Sequence, residues 1–291
     1  MFKSLLISAI LGATTILFAN VNAVVSVLPA QTILSSIGGD KVNVSLMVSP
    51  GSSPHTYEPK PSQMKDISNA SLYFAIGVEF EDAWLPKFKN QNKSMKIVNL
   101  GNGITKIAME QHTHGAPHAG HEKNADEHKH GKFDPHIWTS ISNLKIMSKT
   151  VLDALVLNDV SNAPYYKKNY EIFLAKLNNT DKEIRTILKN TKRGTKFMVF
   201  HPAWGYFAKE YGLVQFAIEV EGKNPTPKQI VFLISEAKEE KVKAVFTAPE
   251  FSEKVAIQIA KEVHIPVIKV SSLSPKVCEN LVGMAKAVAN K

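Results

Sequence analysis

The stretch APYYKKNYEIFLAKLNNTDKEIRTILKN, residues 163–190, carries apolar side chains at helical spacing and no strand signal. Five of them fall on one face of the predicted helix: Tyr166, Tyr170, Phe173, Leu174 and Leu177. At 1.5 Å per residue the stretch would extend about 40 Å, which is long enough to run across two lobes. We therefore predict a linking helix over residues 161–190.

The segments on either side of this helix alternate short apolar runs with amphipathic stretches. Upstream, the predicted strands are VVSVLP, VNVSLMVS, SLYFAIG and MKIVNLG, and downstream they are KFMVF, VQFAIEV, KAVFTAP and VIKVSS. A β-α-β-α order predicts parallel strands with helical crossovers. The expected fold is therefore α/β, with two small parallel-sheet lobes, residues 24–160 and 191–291, bridged by the long helix. Such sheets bind ligands at the carboxyl ends of their strands, which here would face a cleft between the lobes.

The N-terminus has the pattern of a secretory signal peptide. Lys3 gives a basic start, the apolar run from Leu5 to Phe18 follows, and small residues come next, up to Ala23. The run is shorter than the roughly 20 residues that cross a bilayer, which argues against an uncleaved anchor. We therefore predict a signal peptide over residues 1–23, cleavage near Ala23 and a periplasmic location.

The composition limits the kinds of function and covalent structure that the chain can have. The net charge of +9 comes almost entirely from lysines scattered along the chain, and Arg185 and Arg193 are the only arginines. A nucleic-acid site would need clustered basic residues with aromatic neighbours, so we expect no nucleic-acid partner. Cys278 is the only cysteine, which excludes an internal disulfide, and its helical surroundings favour a packed thiol. We expect a monomer.

Residues 111–131 form a His-rich loop whose other residues are mostly Gly, Ala, Lys and acidic residues. Its six histidines are His112, His114, His118, His121, His128 and His130. This composition cannot build a core, so we expect a disordered tract that binds metal by local density. One hypothesis is that the loop captures or senses zinc and passes it to a tighter site. The alternative is a dispensable tract.

Four histidines lie outside this loop. His55 follows a predicted strand, His136 stands in FDPHIW, and His201 ends the strand KFMVF. These three lie at strand ends or loop-to-helix junctions, beside proline and close to an aromatic residue, where α/β proteins place ligand groups. His264 lacks this setting, and we interpret it as structural.

We expect the helix starts that follow His55, His136 and His201 to influence whether these imidazoles are protonated. Asp134 is a suitable N-cap and Pro135 a suitable first helical residue, which would place His136 in a first helical turn. The positive end of a helix disfavours the imidazolium form, and metal binding requires neutral imidazole. The same field opposes a dication, so a nearby carboxylate or hydroxide should compensate.

Several motifs resemble a known family. SPHTYEPKPSQ, DPHIW and FHPAWGYFAKEYGL, followed by VEGKNPTPKQI, are similar to the zinc- and manganese-binding solute receptors of ABC metal importers, and the His-rich loop resembles the zinc-specific, ZnuA-like branch. The resemblance covers essentially the whole mature chain. It implies two α/β lobes joined by a long helix, with metal held in the cleft by His55, His136 and His201.

The sequence departs from the family pattern at the fourth ligand. Many members carry an Asp after the last strand, where this chain has VIKVSSLSPK. Water, Glu58 and a loop histidine remain candidates. Three imidazoles with one further ligand suit tetrahedral zinc, whereas manganese favours more oxygen ligands, so the departure favours Zn²⁺.

The sequence thus predicts a periplasmic zinc receptor that delivers Zn²⁺ to an ABC-type permease with its ATPase. The alternatives are a manganese or iron receptor, a periplasmic zinc buffer or chaperone, and a zinc hydrolase. Three histidines plus water also describe a catalytic zinc. However, the sequence has no His-Glu-x-x-His motif and no clear pairing of a base with a nucleophile, so we predict no enzyme.

Overall fold

The computed structural model describes residues 20–109, 133–219 and 223–289. Two four-stranded sheets organise them. The strands of the first sheet are β1 (Val21–Val25), β2 (Val42–Leu46), β3 (Leu72–Ala75) and β4 (Lys96–Asn99), and those of the second are β5 (Lys196–Val199), β6 (Val214–Ala217), β7 (Val245–Thr247) and β8 (Val267–Lys269). The strand orders are β2-β1-β3-β4 and β6-β5-β7-β8, and every pair is parallel. The predicted α/β fold with two parallel sheets is confirmed.

The helices connect and cover these sheets. They are α1 (Leu28–Gly38), α2 (Pro61–Asn69), α3 (Glu79–Gln91), α4 (Ile141–Asn158), α5 (Ala163–Leu188), α6 (Gly205–Tyr211), α7 (Pro227–Glu239), α8 (Lys254–Val263) and α9 (Val277–Val288). Three helices make the crossovers of each sheet. The amino-acid sequences of the two lobes show no visible repeat, but their sheets have the same strand order and connections.

The inner strands of each sheet are the most apolar. All four residues of β3 and all three of β7 are buried, whereas the edge strand β4 exposes most of its side chains. Helices cover both faces of a parallel sheet, so its inner strands become continuous apolar runs. This is why the sequence signalled these strands by apolar runs and not by alternation.

The long helix α5 spans 26 residues, or about 39 Å at 1.5 Å per residue. It packs against α1, α4 and α9. Tyr166, Phe173 and Leu177 of the predicted apolar face are buried, while the opposite face carries charged residues. Helical periodicity in the sequence therefore gave both the length and the buried face.

One of the two hydrophobic clusters joins the two lobes. Phe197 and Val199 of β5 belong to the cluster that contains the first sheet, whereas Met198 between them packs with the outer cluster under α7 and α8. This is the two-residue alternation of a strand covered on both faces. The two sheets therefore meet across packed apolar side chains.

The last helix does not stay with the second lobe, to which residues 191–291 were assigned. Helix α9 packs against α5, and its buried residues, Cys278 among them, belong to the cluster that joins the two lobes. The Thr32 hydroxyl of α1 donates to the Pro275 carbonyl at 2.8 Å, just before α9. The sequence could not predict that α9 packs against α5, because an apolar stripe shows which face of a helix is buried but not which surface it is buried against.

The N-terminal boundary also differs from the prediction. Strand β1 begins at Val21, and Ala23 is buried within it, paired with Val44 and Leu72. Cleavage after Ala23 would remove the first three residues of an inner strand. Residues 1–19 lie outside the described part, and no helix within that part is long and apolar enough to cross a membrane.

Candidate metal centre

Three loops bring His55, His136 and His201 together. His55 lies in the loop between β2 and α2, His136 precedes a short 3-10 turn, and His201 comes two residues after β5. The Nε2 atom of His201 lies 2.9 Å from that of His55 and 3.2 Å from that of His136. The three histidines form one group whose possible ligand atoms all lie within 4.8 Å of one another. Two lobes thus contribute to one cluster.

A carboxylate stands behind each imidazole ring. The Nδ1 atoms of the three histidines each lie 2.7 Å from a carboxylate oxygen, and the pairs are His55 with Glu79, His136 with Asp134, and His201 with Glu219. A ring that donates its Nδ1 proton to a carboxylate keeps a lone pair on Nε2. This arrangement orients a metal-ligating histidine and raises its basicity as a ligand.

The three Nε2 lone pairs therefore point at one another across short distances. Without a positive charge between them they repel. A zinc ion with bonds of about 2.0–2.1 Å in tetrahedral geometry holds its ligand nitrogens about 3.3–3.4 Å apart. The observed 2.9 and 3.2 Å are within about half an ångström of that value, and all the group's ligand atoms lie within 4.8 Å of one another. The donor set and its spacing fit a small divalent cation with little movement.

The predicted helix N-terminus at His136 is wrong. Helix α4 begins at Ile141, and its N-cap is Ser140, whose hydroxyl accepts from Asn143 N at 3.1 Å. Asp134 caps no helix. Its Oδ1 instead accepts from both the backbone N–H and the ring of His136, at 2.8 and 2.7 Å.

The other two histidines also lie in loops and not in first helical turns, because α2 begins at Pro61 and α6 at Gly205. The helix field therefore does not set their charge. Burial lowers the pKa of His201 to about 4, against the opposing effect of the Glu219 carboxylate. A carboxylate oxygen lies near each ring, on its Nδ1 side, although no helix field is present for it to offset.

Packing between the lobes fixes His136 and its carboxylate. The Tyr206 hydroxyl of α6 donates to the Asp134 carbonyl at 3.1 Å. A Cβ atom at Gly205 would lie only 2.6 Å from Asp134 Oδ2, so only glycine allows this approach. The Trp138 indole N–H donates to the Ser272 carbonyl at 2.8 Å, which ties the first lobe to the loop after β8.

Other contacts hold His55 and His201. The Gln63 amide donates to the carbonyls of Leu46 and Met47, at 2.9 and 2.7 Å, and anchors the loop that carries His55. The ring of His201 stacks on Phe251, with centroids 4.6 Å apart. Each donor is therefore supported by its own neighbours.

Within the described residues, Glu58 was the other predicted candidate ligand, and His264 was interpreted as structural. Glu58 is exposed and does not belong to the group, and His264 is an exposed residue at the end of α8. The six loop histidines, His112 to His130, lie outside the described residues. Glu250, which the sequence analysis did not single out, lines the pocket that the three histidines share.

The sequence analysis also missed the carboxylates behind the rings. Glu79 and Glu219 follow the ends of β3 and β6, and Asp134 was interpreted as a helix cap. An acidic residue two to four positions beyond a buried parallel strand was the available signal. It was overlooked because acidic residues are common at helix starts.

The family profile of ZnuA, the periplasmic component A of a zinc-uptake complex, matches residues 23–291. The chain belongs to this family. A crystal structure of ZnuA superposes with a TM-score of 0.83 at 37% identity, covering 93% of this chain and 98% of that chain. The resemblance inferred from the motifs is confirmed.

Two sequence relatives are named for other metals. The iron ABC transporter substrate-binding lipoprotein MtsA of Streptococcus pyogenes serotype M1 is 32% identical over 244 residues, 80% of this chain and 73% of the relative. The manganese ABC transporter substrate-binding lipoprotein PsaA of Streptococcus pneumoniae is 30% identical over 247 residues, 81% of this chain and 74% of the relative. The family is thus one of substrate-binding receptors for metal ABC transporters, which work with a membrane permease and an ATPase.

Proposed function

We propose that this chain is a periplasmic zinc receptor that binds Zn²⁺ through His55, His136 and His201 and delivers it to an ABC permease. The observation that carries the proposal is the convergence of three Nε2 atoms, each backed by a carboxylate on Nδ1. In this account zinc is the cargo, and the cleft is built to receive it as a dication.

The donor chemistry supports zinc over manganese. Within the described residues, the donors that the fold brings together are three imidazole nitrogens. Nitrogen donors follow the order in which Mn²⁺ binds more weakly than Fe²⁺ and Zn²⁺ binds more strongly than both. Manganese also favours oxygen ligands. The family profile and the ZnuA structure agree with this choice.

An iron or manganese receptor is the second candidate, because MtsA and PsaA are named for those metals. A zinc buffer without a transporter and a zinc hydrolase are further alternatives. The partners that we propose are the permease and its ATPase, with the receptor acting as a monomer. A role of the His-rich loop in capturing zinc remains a hypothesis.

A competitive titration with Zn²⁺, Mn²⁺ and Fe²⁺ against chromophoric chelators tests the metal and the site together. The protein to use lacks residues 111–131, so that loop histidines add no sites. Ala108 and Phe133 pair in an isolated antiparallel bridge, so the two ends of the described chain already lie side by side there. We expect one tight zinc site and much weaker manganese binding.

Two variants make the titration specific. His136→Ala should abolish the tight zinc site, because it removes a buried donor. His264→Ala removes an exposed imidazole outside the cluster and should leave the affinity unchanged. Tighter binding of manganese, or tight zinc binding that survives His136→Ala, would overturn the proposal.

Delivery is tested in cells. Uptake of radioactive zinc at low external zinc should fall when the chain is removed, and His136→Ala should not restore it, whereas the His264→Ala variant should. A buffer without a transporter would leave the initial rate of uptake unchanged. Uptake with and without residues 111–131 also tests the loop, since an unchanged rate would make the tract dispensable.

A further inference from the structure

The pocket that the three histidines share is also lined by an acidic residue with no assigned role. Glu250 follows the carboxyl end of β7 and lines the same pocket as His55, His136 and His201. It is half-buried. It stands next to the loop after β8, where the family resemblance predicted an Asp and this chain has serines.

Two contacts fix the position of Glu250. Its neighbour Phe251 stacks on the ring of His201, with centroids 4.6 Å apart and an interplanar angle of 23°. The backbone that carries Glu250 is therefore held beside one of the three donors. The Ser271 hydroxyl donates to Glu250 Oε1 at 2.8 Å. A serine of the loop where family members carry an Asp thus donates to a carboxylate in the loop after the neighbouring strand β7.

The other acids near the cluster already have a partner. Glu79, Asp134 and Glu219 each place a carboxylate oxygen 2.7 Å from the Nδ1 atom of a ring, on the side away from the Nε2 atoms. Glu250 is not bonded to any of the three rings, its carboxylate lies outside the group of ligand atoms within 4.8 Å of one another, and its partner is the neutral Ser271 hydroxyl. Tetrahedral zinc with three imidazoles requires one further donor.

We propose that Glu250 supplies this fourth donor, its carboxylate moving from Ser271 onto the bound cation. The inference rests on the proposed function and concerns the same site. It gives each lobe two ligands, His55 and His136 from the first and His201 and Glu250 from the second. The cation then links the two strand-end surfaces, and Ser271 holds the acid in place until the cation arrives.

The test uses matched variants in the protein without residues 111–131. Glu250→Gln removes the proposed ligand charge. Glu253→Gln removes the same charge three residues away, where the carboxylate bonds Thr247 and Lys269 and does not line the pocket. Removing groups that support a metal site typically lowers affinity about 10–100-fold, and we expect at least this loss for Glu250→Gln and none for Glu253→Gln.

The visible spectrum of the Co²⁺-loaded protein reports ligand identity. Glu250→Gln should change the position or intensity of the ligand-field bands, and Glu253→Gln should not. Ser271→Ala should keep full zinc affinity, because it releases the acid without removing it. Zinc affinity of Glu250→Gln equal to that of the control overturns the inference. A loss of affinity with an unchanged Co²⁺ spectrum also overturns it, because the acid then acts without touching the metal.

His136→Ala separates this inference from the proposed function. If that variant loses the tight site while Glu250→Gln behaves as the control, only the role of Glu250 is wrong. If His136→Ala keeps tight zinc binding, the three-histidine site itself is wrong, whatever Glu250→Gln does.

Discussion

The carboxylate behind His136 should contribute strongly to metal affinity, and Asp134→Asn isolates its charge. Asp134 is buried, and its Oδ1 accepts from both the ring and the backbone N–H of His136. Asparagine has the same shape and keeps an acceptor oxygen at that position. The substitution therefore removes a negative charge while preserving the orientation of the ring.

The expected loss of zinc affinity follows from the distance between the Asp134 carboxylate and the bound cation. The carboxylate oxygen lies 2.7 Å from Nδ1. Adding the ring and a zinc–nitrogen bond of about 2 Å places the charge about 6.5 Å from a cation on Nε2. A unit charge and a dication at that distance interact by about 1.3 kcal/mol in water and about 5 kcal/mol at an effective dielectric constant of 20. Losses of about 10–100-fold, or about 1.4–2.7 kcal/mol, are typical for such partners.

Zinc titration of Asp134→Asn against a chelator, in the protein without residues 111–131, measures this loss. Asp153→Asn is the control, because Asp153 is an exposed residue of α4 paired with Lys149 and gives the same change in net charge. Apoprotein melting temperatures should be compared to confirm that both variants fold. Equal zinc affinities for the two variants would refute the idea that the carboxylate behind the ring strengthens the ligand.

Three further outcomes follow from the packing and the charges. Gly205→Ala should lower both zinc affinity and stability, by about 1–3 kcal/mol of unfolding free energy, because its Cβ would lie 2.6 Å from Asp134 Oδ2. Gly283→Ala, where a Cβ meets nothing within 4 Å, should stabilise helix α9 by up to about 1 kcal/mol; equal effects of the two changes would contradict this reasoning. Burial raises the pKa of Glu81, so the folded state holds its proton to a higher pH than the unfolded state does. The free energy of unfolding should therefore fall as pH rises from the unfolded pKa to the raised one, and Glu81→Gln should lack this fall in denaturant titrations at a series of pH values. Parallel curves of unfolding free energy against pH for the two proteins would contradict this. Glu58→Ala should leave zinc affinity within about twofold, because Glu58 is exposed; a large loss would restore it as a ligand.

Much of the fold was readable from local patterns. The linking helix was predicted to end near residue 190 and ends at Leu188, because its apolar stripe continues at helical spacing to that point. The β-α order gave parallel sheets because crossover helices impose that direction. The return of α9 to the first lobe was not predictable, since nothing in its own sequence names the surface that it covers.

The site was partly predictable for a related reason. Histidines are rare enough outside the loop that three of them at strand and loop junctions stand out. Their partners do not, because Glu79 and Glu219 resemble ordinary acids at the start of a helix or in a loop. Their role depends on which strand ends lie next to each other, and this depends on the strand order β2-β1-β3-β4 and its counterpart in the second sheet.

The N-terminal boundary is hard to place from sequence because only Asn20 and Asn22 separate the apolar run from the apolar residues of the fold, and cleavage near Ala23 stays a prediction. Val21 and Ala23 look like the end of a targeting segment, yet they are residues of an inner strand. Composition cannot distinguish an apolar residue that is cleaved off from one that is buried. Only the pairing of β1 with β2 and β3 shows the difference.

The most direct test of the central claim is X-ray absorption at the zinc K-edge, on protein loaded with one Zn²⁺ and lacking residues 111–131. Three imidazole ligands with zinc–nitrogen distances of about 2.0–2.1 Å are predicted, and the His136→Ala variant should lose one of them. A spectrum with fewer than three imidazoles, or one that His136→Ala leaves unchanged, would show that zinc is not held between the three histidines of the cleft.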